Sequence, residues 1–527
     1  MKFLKIGINK IKKGGSVNIN SDTNFKVYTP DYIAKEMVDK SLEIYFHGDY
    51  RRIKFDKIRC ADLSCGTGNL LLPLLQTIME LSKIKLGEYI YNSSWITGYD
   101  IDGGALLICK DNILRLLKKY GIKDKNINLI ETNSLIEEID EIYDIVLGNP
   151  PYFGEKNNKE IFKDMRQYKF GKENYEGKMD YSYFFIAKGI ETLKDGGVLT
   201  YITTNYWFKA DHAKKMREKI KRNTTFKYIN NYNKSVFEDA VGQHNVIFTL
   251  KKEKIKGKLE VIEDRGKYFI DSDKVYNYRD KIILAKNEDL ERLEKVYNGR
   301  THFLGELLNI NQGIVSGHDR AFVFDSYDKK YSEYLKPFYK NKDIDQYSYR
   351  SNKYWILYLD CKVVLDRKLT KHMKPYKERL SRRREVLKSI INWWELQWAR
   401  DEKIFNVPKI IGRQRSKINK FSYSEGEFYG SADIYYLTAK EKEINLFYIL
   451  GYLNSKVFYD WFKYNGKMKG DNLELYATPL KETPIYYSKD KSEITYIEKL
   501  VKKQINHYDE ETQKLIDGYF SDIKYGK

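Results

Sequence analysis

The segment Asn149-Pro150-Pro151-Tyr152 combines side chains that can hold a planar molecule bearing an amino group. The amide oxygen of Asn149 and the carbonyl of Pro150 are hydrogen-bond acceptors, and the two prolines make the turn rigid. The ring of Tyr152 offers a face for stacking. Two acceptors that grip the N–H bonds of an aromatic amine draw its nitrogen towards tetrahedral geometry and free its lone pair. The segment therefore predicts catalysis by positioning, without a strongly basic side chain.

A second group of residues, in the stretch ADLSCGTGNLL (61–71), is suited to a small-molecule ligand. Gly66 and Gly68 let the backbone approach a ligand closely, and the following helix offers its N-terminal amides. The stretch is neither a G-x-G-x-x-G dinucleotide motif nor a P-loop, because the third glycine and the Gly-Lys-Ser/Thr end are absent. Asp62 repels a phosphate but suits an ammonium or sulfonium group. A glycine turn without a ligand is the alternative.

Asp100 ends the next predicted strand of the chain. A carboxylate at that place can accept hydrogen bonds from both hydroxyls of a ribose. A ligand that combines an adenosyl group, an amino acid and a positive charge is S-adenosylmethionine. We therefore predict S-adenosylmethionine as the cofactor.

Short apolar stretches alternate with amphipathic helical patterns from about residue 56 to 251, which predicts a parallel α/β sheet of the Rossmann-like type. In such a sheet, ligands bind at the carboxyl ends of the strands. The predicted strands cover residues 57–63, 95–100, 126–131, 142–148, 198–204, 226–232 and 244–252, and the predicted helices cover 69–81, 103–121 and 180–194. The KDGG at 194–197 resembles a helix C-cap.

The residue composition changes around residues 250–300, where Lys, Asp and Glu become frequent. We interpret this stretch as a linker and the first strands of a second unit. Aromatic and basic residues dominate from about residue 301 on. We predict an N-terminal catalytic domain over residues 1–255 and a C-terminal mixed α+β domain over residues 256–527.

The composition favours a polyanionic partner. Lys and Arg number 94 against 74 Asp and Glu, a net charge of +20, which suits nucleic acid or an anionic membrane. The alternative is compositional drift in an A/T-rich genome. No apolar stretch approaches the roughly 20 residues of a membrane span, and the N-terminus lacks the apolar core of a signal peptide. The four cysteines show no metal-ligand spacing. We expect a cytoplasmic protein without a membrane partner or a metal site.

Together, the glycine loop, the acidic strand ends and the tetrapeptide resemble the gamma class of DNA adenine-N6 methyltransferases, typified by the TaqI methyltransferase. Further stretches resemble the clostridial sporulation-associated adenine methyltransferases. These stretches are GIVSGHDRAF (313–322), WWELQWARDEKIF (393–405) and SADIYYL (431–437). The resemblance extends over nearly the whole chain, from residue 28 to residue 458.

The resemblance implies a cofactor site built from the YTP segment, the glycine loop, the ends of the second and third strands, and one helix. The residues it implies are Tyr28, Thr29, Asp62, Ser64, Cys65, Gly66, Gly68, Asp100, Ile101, Asn133, Ser134 and Phe185. Thr29 would contact the methionine carboxylate. Asn133 stands where the family usually has an aspartate, but its amide oxygen can still accept a hydrogen bond from the adenine amino group. Ordinary helix core is the alternative for Phe185.

The resemblance also implies that the tetrapeptide acts on an adenine flipped out of a duplex. Tyr152 would stack on one face of the base. For the other face, Phe237 in SVFEDAVGQHN (235–245) is our first choice and His244 a weaker one. A plain surface loop is the alternative for Phe237.

We expect the C-terminal domain, residues 256–527, to be a DNA target-recognition domain, and it contains candidate DNA contacts. Arg413, Gln414 and Arg415, in GRQRSKINKF (412–421), can bind phosphates or base edges. Solvated surface charge is the alternative. The spacing of Trp393, Trp394 and Trp398 predicts a helix with at least two rings on one face, for core packing rather than stacking on DNA.

We therefore expect a site-specific, adenine-specific DNA methyltransferase that acts as a monomer on double-stranded DNA and is associated with the nucleoid. An RNA adenine-N6 methyltransferase is one alternative, because RNA and glutamine methyltransferases also carry the tetrapeptide. A non-catalytic, sequence-specific DNA-binding subunit is the other. We recognise no nuclease motif, so both an orphan enzyme and a partner of a separate cognate endonuclease remain open.

Overall fold

The computed structural model describes residues 29–140, 142–237, 242–264 and 266–523. The chain divides into two compact units, Met1–Ile282 and Ile283–Lys527. None of the helices within the described ranges is long and apolar enough to cross a membrane.

The first unit is built on a mixed sheet with the strand order β3-β2-β1-β4-β5-β7-β6-β8-β9. Neighbouring strands from β3 to β5 are parallel, and β7 runs antiparallel to both β5 and β6. The strands are β1 (Cys60–Asp62), β2 (Ile96–Asp100), β3 (Asn128–Glu131), β4 (Tyr143–Gly148), β5 (Leu193–Thr204), β6 (Thr225–Asn231), β7 (Asn245–Lys251), β8 (Lys258–Glu263) and β9 (Gly266–Asp271). The predicted Rossmann-like α/β fold is confirmed.

Helices accompany this sheet. They are α1 (Asp31–Tyr45), α2 (Leu71–Leu86), α3 (Gly103–Lys119), α4 (Lys159–Met165), α5 (Lys169–Asn174), α6 (Ser182–Thr192) and α7 (Lys214–Asn223). Every residue of the central strands β1 and β4 is buried, as expected for parallel strands in the middle of a sheet. The carboxyl ends of β1 and β4 therefore lie side by side at one edge, where the glycine loop and the tetrapeptide begin.

The boundary between the units differs from the one predicted between residues 255 and 256. The strand β8 pairs with β6, and β9 pairs with β8, so both extend the first sheet. The first unit consequently runs to Ile282. The change in composition after residue 250 thus marks edge strands of the first sheet rather than the start of the second unit.

The KDGG segment at 194–197 is not the predicted helix C-cap. The helix α6 ends at Thr192, and the strand β5 begins at Leu193. The pairing of β4 with β5 shifts register between Tyr143 and Ile145, and Gly196 adopts a φ of +78°. The segment is therefore an irregular entry into the strand, which only a glycine in the left-handed region accommodates without strain.

The second unit has a mixed α+β structure built on small sheets of two, four, four and three strands. Its strands are β10 (His302–Phe303), β11 (Leu308–Gln312), β12 (Val323–Phe324), β13 (Leu335–Tyr339), β14 (Tyr354–Leu357), β15 (Lys409–Arg413), β16 (Arg415–Ser416), β17 (Phe421–Ser424), β18 (Tyr429–Gly430), β19 (Ile434–Ala439), β20 (Lys467–Lys469), β21 (Asn472–Glu474) and β22 (Pro484–Ile485). Its helices are α8 (Asn287–Asn298), α9 (Leu304–Leu307), α10 (Asp319–Phe322), α11 (Arg367–Met373), α12 (Lys377–Ser381), α13 (Arg384–Leu387), α14 (Lys403–Asn406), α15 (Leu446–Leu453), α16 (Lys456–Asn465), α17 (Ala477–Lys481), α18 (Lys491–Asn506) and α19 (Glu510–Gly518).

The helix predicted from the tryptophan spacing is wrong. The backbone of Trp398 exchanges hydrogen bonds of 3.1 and 3.0 Å with Val315, which requires an extended chain at that point. Trp393 and Trp394 pack against the hydrophobic core of the second unit, whereas 41% of Trp398 is exposed.

Candidate active site

The tetrapeptide leaves the sheet at the carboxyl end of β4. Gly148, the last residue of that strand, lies directly against the ring of Tyr201, and a Cβ at Gly148 would come within 2.6 Å of the ring. Pro150 is buried, while Asn149 and Tyr152 are half-buried. The strand therefore delivers these side chains at a point where the backbone has no room for a larger residue.

The side-chain amide of Asn149 is bound at both of its polar atoms. Its nitrogen donates to the hydroxyl of Thr29 at 3.0 Å, and its oxygen accepts a hydrogen bond from the hydroxyl of Tyr152. That hydroxyl also lies 3.2 Å from the carbonyl of Ile202 in β5. Burial, with a contribution from Asp180, raises the pKa of Tyr152 well above its ordinary value. The phenol therefore stays protonated and can donate.

Two aromatic rings meet beside Asn149. The ring centroids of Tyr152 and Phe237 are 6.3 Å apart, with 43° between the ring planes. Phe237 is 5% exposed and belongs to the apolar cluster of the first unit. His244 is exposed, and its ring lies 6.2 Å from Tyr206. The structure thus brings Phe237 to Tyr152, and it gives His244 a different aromatic neighbour.

The glycine loop and the end of β2 are joined by backbone hydrogen bonds to two carboxylates. The N–H of Ser64 donates to Asp62 at 2.9 Å. The N–H groups of Gly66 and Asp102 donate to the two oxygens of Asp100 at 2.8 and 2.9 Å. The two acidic side chains predicted to bind the cofactor therefore lie at the same edge of the sheet.

The two predicted glycines of the loop have different constraints. Gly66 and Gly68 have φ angles of +52° and +89°, where other residues are strained. A Cβ on Gly68 would also lie 2.7 Å from the Sγ of Cys109, whereas space around Gly66 is open. Cys65 is buried, and its thiol is hydrogen-bonded to that of Cys109. In the structure, the Cys65 side chain therefore packs under the loop.

Asp62 is 2% exposed. Burial raises its pKa to about 7; the negative charge of Asp100 adds to this rise, and the hydrogen bond from Ser64 opposes it. The hydroxyl of Tyr201 is also buried and has no hydrogen-bond partner among the described residues. Burial raises the pKa of Tyr201 well above its ordinary value, and the charge of Asp62 adds to this rise. A buried carboxylate with so few donors favours a cationic ligand such as an ammonium group.

A second cluster lies after β3. The side-chain oxygen of Asn133 accepts a hydrogen bond from the N–H of Leu135 at 3.1 Å, and its amide is also hydrogen-bonded to Tyr181. The rings of Tyr181 and Phe185 are 6.0 Å apart. The structure therefore brings Asn133 and Phe185 together through a tyrosine that we did not predict as part of the site.

The remaining predicted cofactor residues have varied surroundings. Ser134 is buried, and its hydroxyl donates to the carbonyl of Leu63 at 2.7 Å, which ties the end of β3 to the glycine loop. Ile101, just past β2, is 74% exposed. Tyr28 lies outside the described residues.

One site residue and one contact within the site were missed in the sequence. Tyr181 stacks on Phe153 with 4.6 Å between ring centroids and 15° between planes, so it joins the turn after the tetrapeptide to α6. The aromatic run DYSYFF (180–185) was the available signal. The contact between Thr29 and Asn149 joins residues 120 positions apart, and no local pattern announces it.

In the second unit, Arg413, Gln414 and Arg415 line an open cavity of about 680 Å³. The other residues that line it are Asn341, Ser416, Lys417, Ile418, Lys420, Asp433 and Asn472. The guanidinium of Arg415 is paired with Glu474, which is 3% exposed. Arg413 donates through Nε to the carbonyl of Arg415 at 3.1 Å. Within the described residues, the two terminal guanidinium nitrogens of Arg413 donate no hydrogen bond. Arg413 therefore has more N–H donors available for a ligand than Arg415.

Two protein families match separate parts of the chain. The family described as Eco57I restriction-modification methylase matches residues 94–237. The family described as TaqI-like C-terminal specificity domain matches residues 336–485.

Individual relatives extend over larger parts of the chain. The type II methyltransferase M.HindII of Haemophilus influenzae is 27% identical, over 65% of this chain and 74% of its own length. The type II methyltransferase M.BanIII of Aneurinibacillus aneurinilyticus is 22% identical, over 84% of this chain and 86% of its own length. Among solved structures, the type IIL restriction-modification enzyme MmeI in complex with DNA shares the fold. It has a TM-score of 0.58 and 14% identity, over 93% of this chain and 70% of its own.

These matches agree with the geometry of the first unit. The methylase match confirms S-adenosylmethionine as the cofactor. A region that matches a restriction-modification methylase family is followed by a region that matches a TaqI-like specificity domain, and the predicted resemblance to the TaqI-like methyltransferases is thereby confirmed.

Proposed function

We propose that this protein is a site-specific DNA methyltransferase that transfers a methyl group from S-adenosylmethionine to N6 of an adenine in double-stranded DNA. The observation that carries this proposal is the hydrogen bonding of the Asn149 side chain. Its amide oxygen accepts a hydrogen bond from the hydroxyl of Tyr152, so the oxygen is already turned towards a donor. An amino group that takes the place of this hydroxyl can donate one hydrogen bond to the oxygen of Asn149 and another to the neighbouring carbonyl of Pro150.

The residues of the first unit fit the cofactor. Asp62 supplies a buried negative charge for the ammonium group. Each oxygen of Asp100 accepts one backbone N–H and keeps a lone pair for a ribose hydroxyl. Phe185 and the exposed Ile101 offer apolar surface for the adenine. When bound, the cofactor would supply a methyl group attached to a positively charged sulfur, and loss of the methyl group leaves that sulfur as a neutral thioether.

The polar atoms at the tetrapeptide act on the accepting nitrogen. The oxygen of Asn149 and the carbonyl of Pro150 accept hydrogen bonds from the two N–H groups of this nitrogen. These hydrogen bonds keep the lone pair of the nitrogen from delocalising into the adenine ring. As the N–C bond forms, the nitrogen becomes positive, and hydrogen bonds to a charged group contribute about 1.5–3 kcal/mol each. The surplus proton is then released to solvent, because an amide or carbonyl oxygen is too weak a base to keep it.

Tyr152 and Phe237 are proposed to hold the flipped base. Ring stacking at contact distance on both faces requires about 7 Å between the two rings, against the 6.3 Å between their centroids here. The rings must therefore separate slightly and become more parallel. Stacking contributes about 1–3 kcal/mol per base, which offsets the few kcal/mol needed to extrude the base. His244 remains the weaker candidate for this role.

The second unit is proposed to select the DNA site. Arg413 and Gln414 line its open cavity, and arginine and glutamine side chains can each form paired hydrogen bonds to base edges in the major groove. Arg415 is proposed to shape this cavity through its ion pair with Glu474. The net charge of +20 supports a polyanionic partner. We further propose that the protein acts as a monomer in the cytoplasm and that a cognate endonuclease, where present, is a separate chain.

Methyl transfer from labelled S-adenosylmethionine tests this function. We expect label in unmethylated duplex DNA of genomic complexity, recovered as N6-methyladenine after digestion to nucleosides, and no label in RNA. Asn149→Ala should abolish transfer while cofactor binding persists. Tyr152→Phe keeps the stacking ring and should retain most of the rate, unlike Tyr152→Ala. The matched control is Asn223→Ala, which removes an amide whose nitrogen donates to the carbonyl of Lys219 at 2.8 Å at the end of α7, away from the tetrapeptide.

Three results would contradict the proposal. Label found in cytosine would refute the assignment of the accepting nitrogen. Label found in RNA alone would support the RNA methyltransferase alternative. Equal activity of Asn149→Ala and the unmodified protein would refute the mechanism.

A further inference from the structure

Thr29 contacts the proposed catalytic residue Asn149 directly. Its hydroxyl accepts a hydrogen bond from the Asn149 amide nitrogen at 3.0 Å. Thr29 is 7% exposed and lies one residue before Pro30, the N-cap of α1. The contact is therefore sheltered from water and attached to the start of a helix.

The orientation of the Asn149 amide decides which atom meets the substrate. A half-turn about the last side-chain bond exchanges oxygen and nitrogen with almost no change in shape. Only the oxygen can accept an N–H bond of the target amine. In the structure, Thr29 binds the nitrogen and Tyr152 binds the oxygen. When the amine takes the place of the Tyr152 hydroxyl, the contact with Thr29 persists and keeps the oxygen facing the substrate.

The first turns of α1 are fixed to the sheet by a carboxylate with three donors. Glu36 accepts hydrogen bonds from the hydroxyl of Tyr228 at 2.6 Å, from the amide of Asn230 at 2.8 Å and from the hydroxyl of Tyr232 at 2.7 Å. These donors all come from β6 or the residue that follows it. Since Thr29 precedes this helix by two residues, its place is fixed relative to the sheet.

The later turns of α1 are anchored to the central strands. The hydroxyl of Ser41 donates to that of Thr200 in β5 at 2.7 Å. Tyr45, the last residue of the helix, donates to Asp144 in β4. Asn149 directly follows β4, so the same strand carries the catalytic amide and holds the helix that positions Thr29.

We propose that Thr29 is a positioning residue for methyl transfer: its hydroxyl holds the amide nitrogen of Asn149, so that the amide oxygen faces the substrate amine. This inference rests on the proposed function. The family resemblance assigns Thr29 instead to the methionine carboxylate. The two roles have different consequences, because a cofactor contact acts through cofactor affinity, whereas amide orientation acts on the rate with both substrates saturating.

The test uses Thr29→Val, which keeps the shape and removes the hydroxyl, and Thr29→Ser, which keeps the hydroxyl. One hydrogen bond of ordinary strength corresponds to about a three- to tenfold change in rate. We expect Thr29→Val to lower the single-turnover rate on duplex DNA by about that factor at saturating S-adenosylmethionine. We expect its calorimetric Kd for S-adenosylmethionine to stay within about twofold, and Thr29→Ser to stay within about twofold in both measurements.

The matched control is Thr224→Val in the same unit. Thr224 is 6% exposed, and its hydroxyl donates to the carbonyl of Ile220 at 2.8 Å at the end of α7. This variant loses an equally buried hydroxyl away from Asn149, and we expect it to keep the full rate. Circular dichroism and cofactor binding establish that each variant is folded, and Thr29→Ala replaces Thr29→Val if the latter is not.

An unchanged saturated rate in Thr29→Val overturns the inference, whatever happens to the cofactor Kd. An equal loss in Thr29→Ser and Thr29→Val also overturns it, because the hydroxyl is then not responsible. If the unmodified protein transfers methyl groups to DNA, either result leaves the proposed function standing. If the unmodified protein transfers none, the proposed function fails and the inference fails with it.

Discussion

The buried carboxylate of Asp62 opposes folding and favours the cofactor, and Asp62→Asn separates the two effects. Burial raises the pKa of Asp62 from 3.8 to about 7, and one pKa unit corresponds to about 1.4 kcal/mol. Between these two pH values, the folded state keeps a proton that the unfolded state has released. The free energy of unfolding therefore falls as the pH rises through this window, by about 4 kcal/mol in total.

Asparagine keeps an oxygen for the N–H of Ser64 and removes the charge. We expect Asp62→Asn without cofactor to raise the free energy of unfolding at pH 8 by about 2–4 kcal/mol, or the melting temperature by about 5–10 °C. At pH 4.5 the gain should fall to about 1 kcal/mol, because the carboxyl is protonated in the folded state and the pH lies only slightly above the unfolded-state pKa of 3.8. The variant should bind S-adenosylmethionine at least about thirtyfold more weakly, since losing one partner of a buried charge pair costs about 2–5 kcal/mol.

Thermal unfolding at pH 4.5 and 8, and calorimetric titration with S-adenosylmethionine at pH 8, measure the two effects. Asp195→Asn is the control. Asp195 is exposed at the start of β5, so removing its charge should change the melting temperature little. A melting temperature at pH 8 that stays the same or falls in Asp62→Asn would refute the desolvation argument. Unchanged cofactor affinity would refute the ammonium contact.

Three further predictions concern the second unit. Lys409 is fully buried, its Nζ donates to the carbonyls of Val407 and Gly426, and burial lowers its pKa to about 8. The free energy of unfolding of the unmodified protein, relative to that of Lys409→Met, should therefore rise by about 2 kcal/mol between pH 8 and 9.5. Thermal unfolding at the two pH values measures this, and a difference between the two proteins that does not change with pH would contradict it. Arg413→Ala should weaken DNA binding by about 1–3 kcal/mol in fluorescence anisotropy. Arg415→Ala should mainly lower the melting temperature, because the buried Glu474 then keeps Lys467 but loses the guanidinium as an ion-pair partner, and the reverse pattern would reassign the two arginines.

The strands of the first sheet were predictable because each central strand is a short apolar run bounded by turn residues. β4 was predicted over residues 142–148 and spans Tyr143–Gly148. The edge strands β8 and β9 were assigned to the wrong unit. Edge strands are partly exposed and carry charges, so their composition resembles a linker, and only their pairing with β6 reveals where they belong.

The irregular elements had the least support in the sequence. KDGG matches a helix C-cap by residue type, but Gly196 and Gly197 form backbone hydrogen bonds of 2.9 Å with Lys252, the residue after β7. The tryptophan spacing matches a helix, but Trp398 pairs with Val315, 83 positions earlier in the chain. In both cases a hydrogen bond to a distant segment outweighs a local preference, which contributes only tenths of a kcal/mol per residue.

The sequence by itself determined the chemistry available to this protein. The tetrapeptide, the glycine loop and the acidic strand ends are local patterns, and their residue types predict the cofactor and a catalytic turn of hydrogen-bond acceptors. The tertiary structure decided how those groups behave. Burial sets the pKa of Asp62, Glu474 takes up the guanidinium of Arg415, and Thr29 meets the amide of Asn149 across 120 residues of chain. Desolvation and long-range contacts depend on the whole fold, so a local pattern carries no record of them.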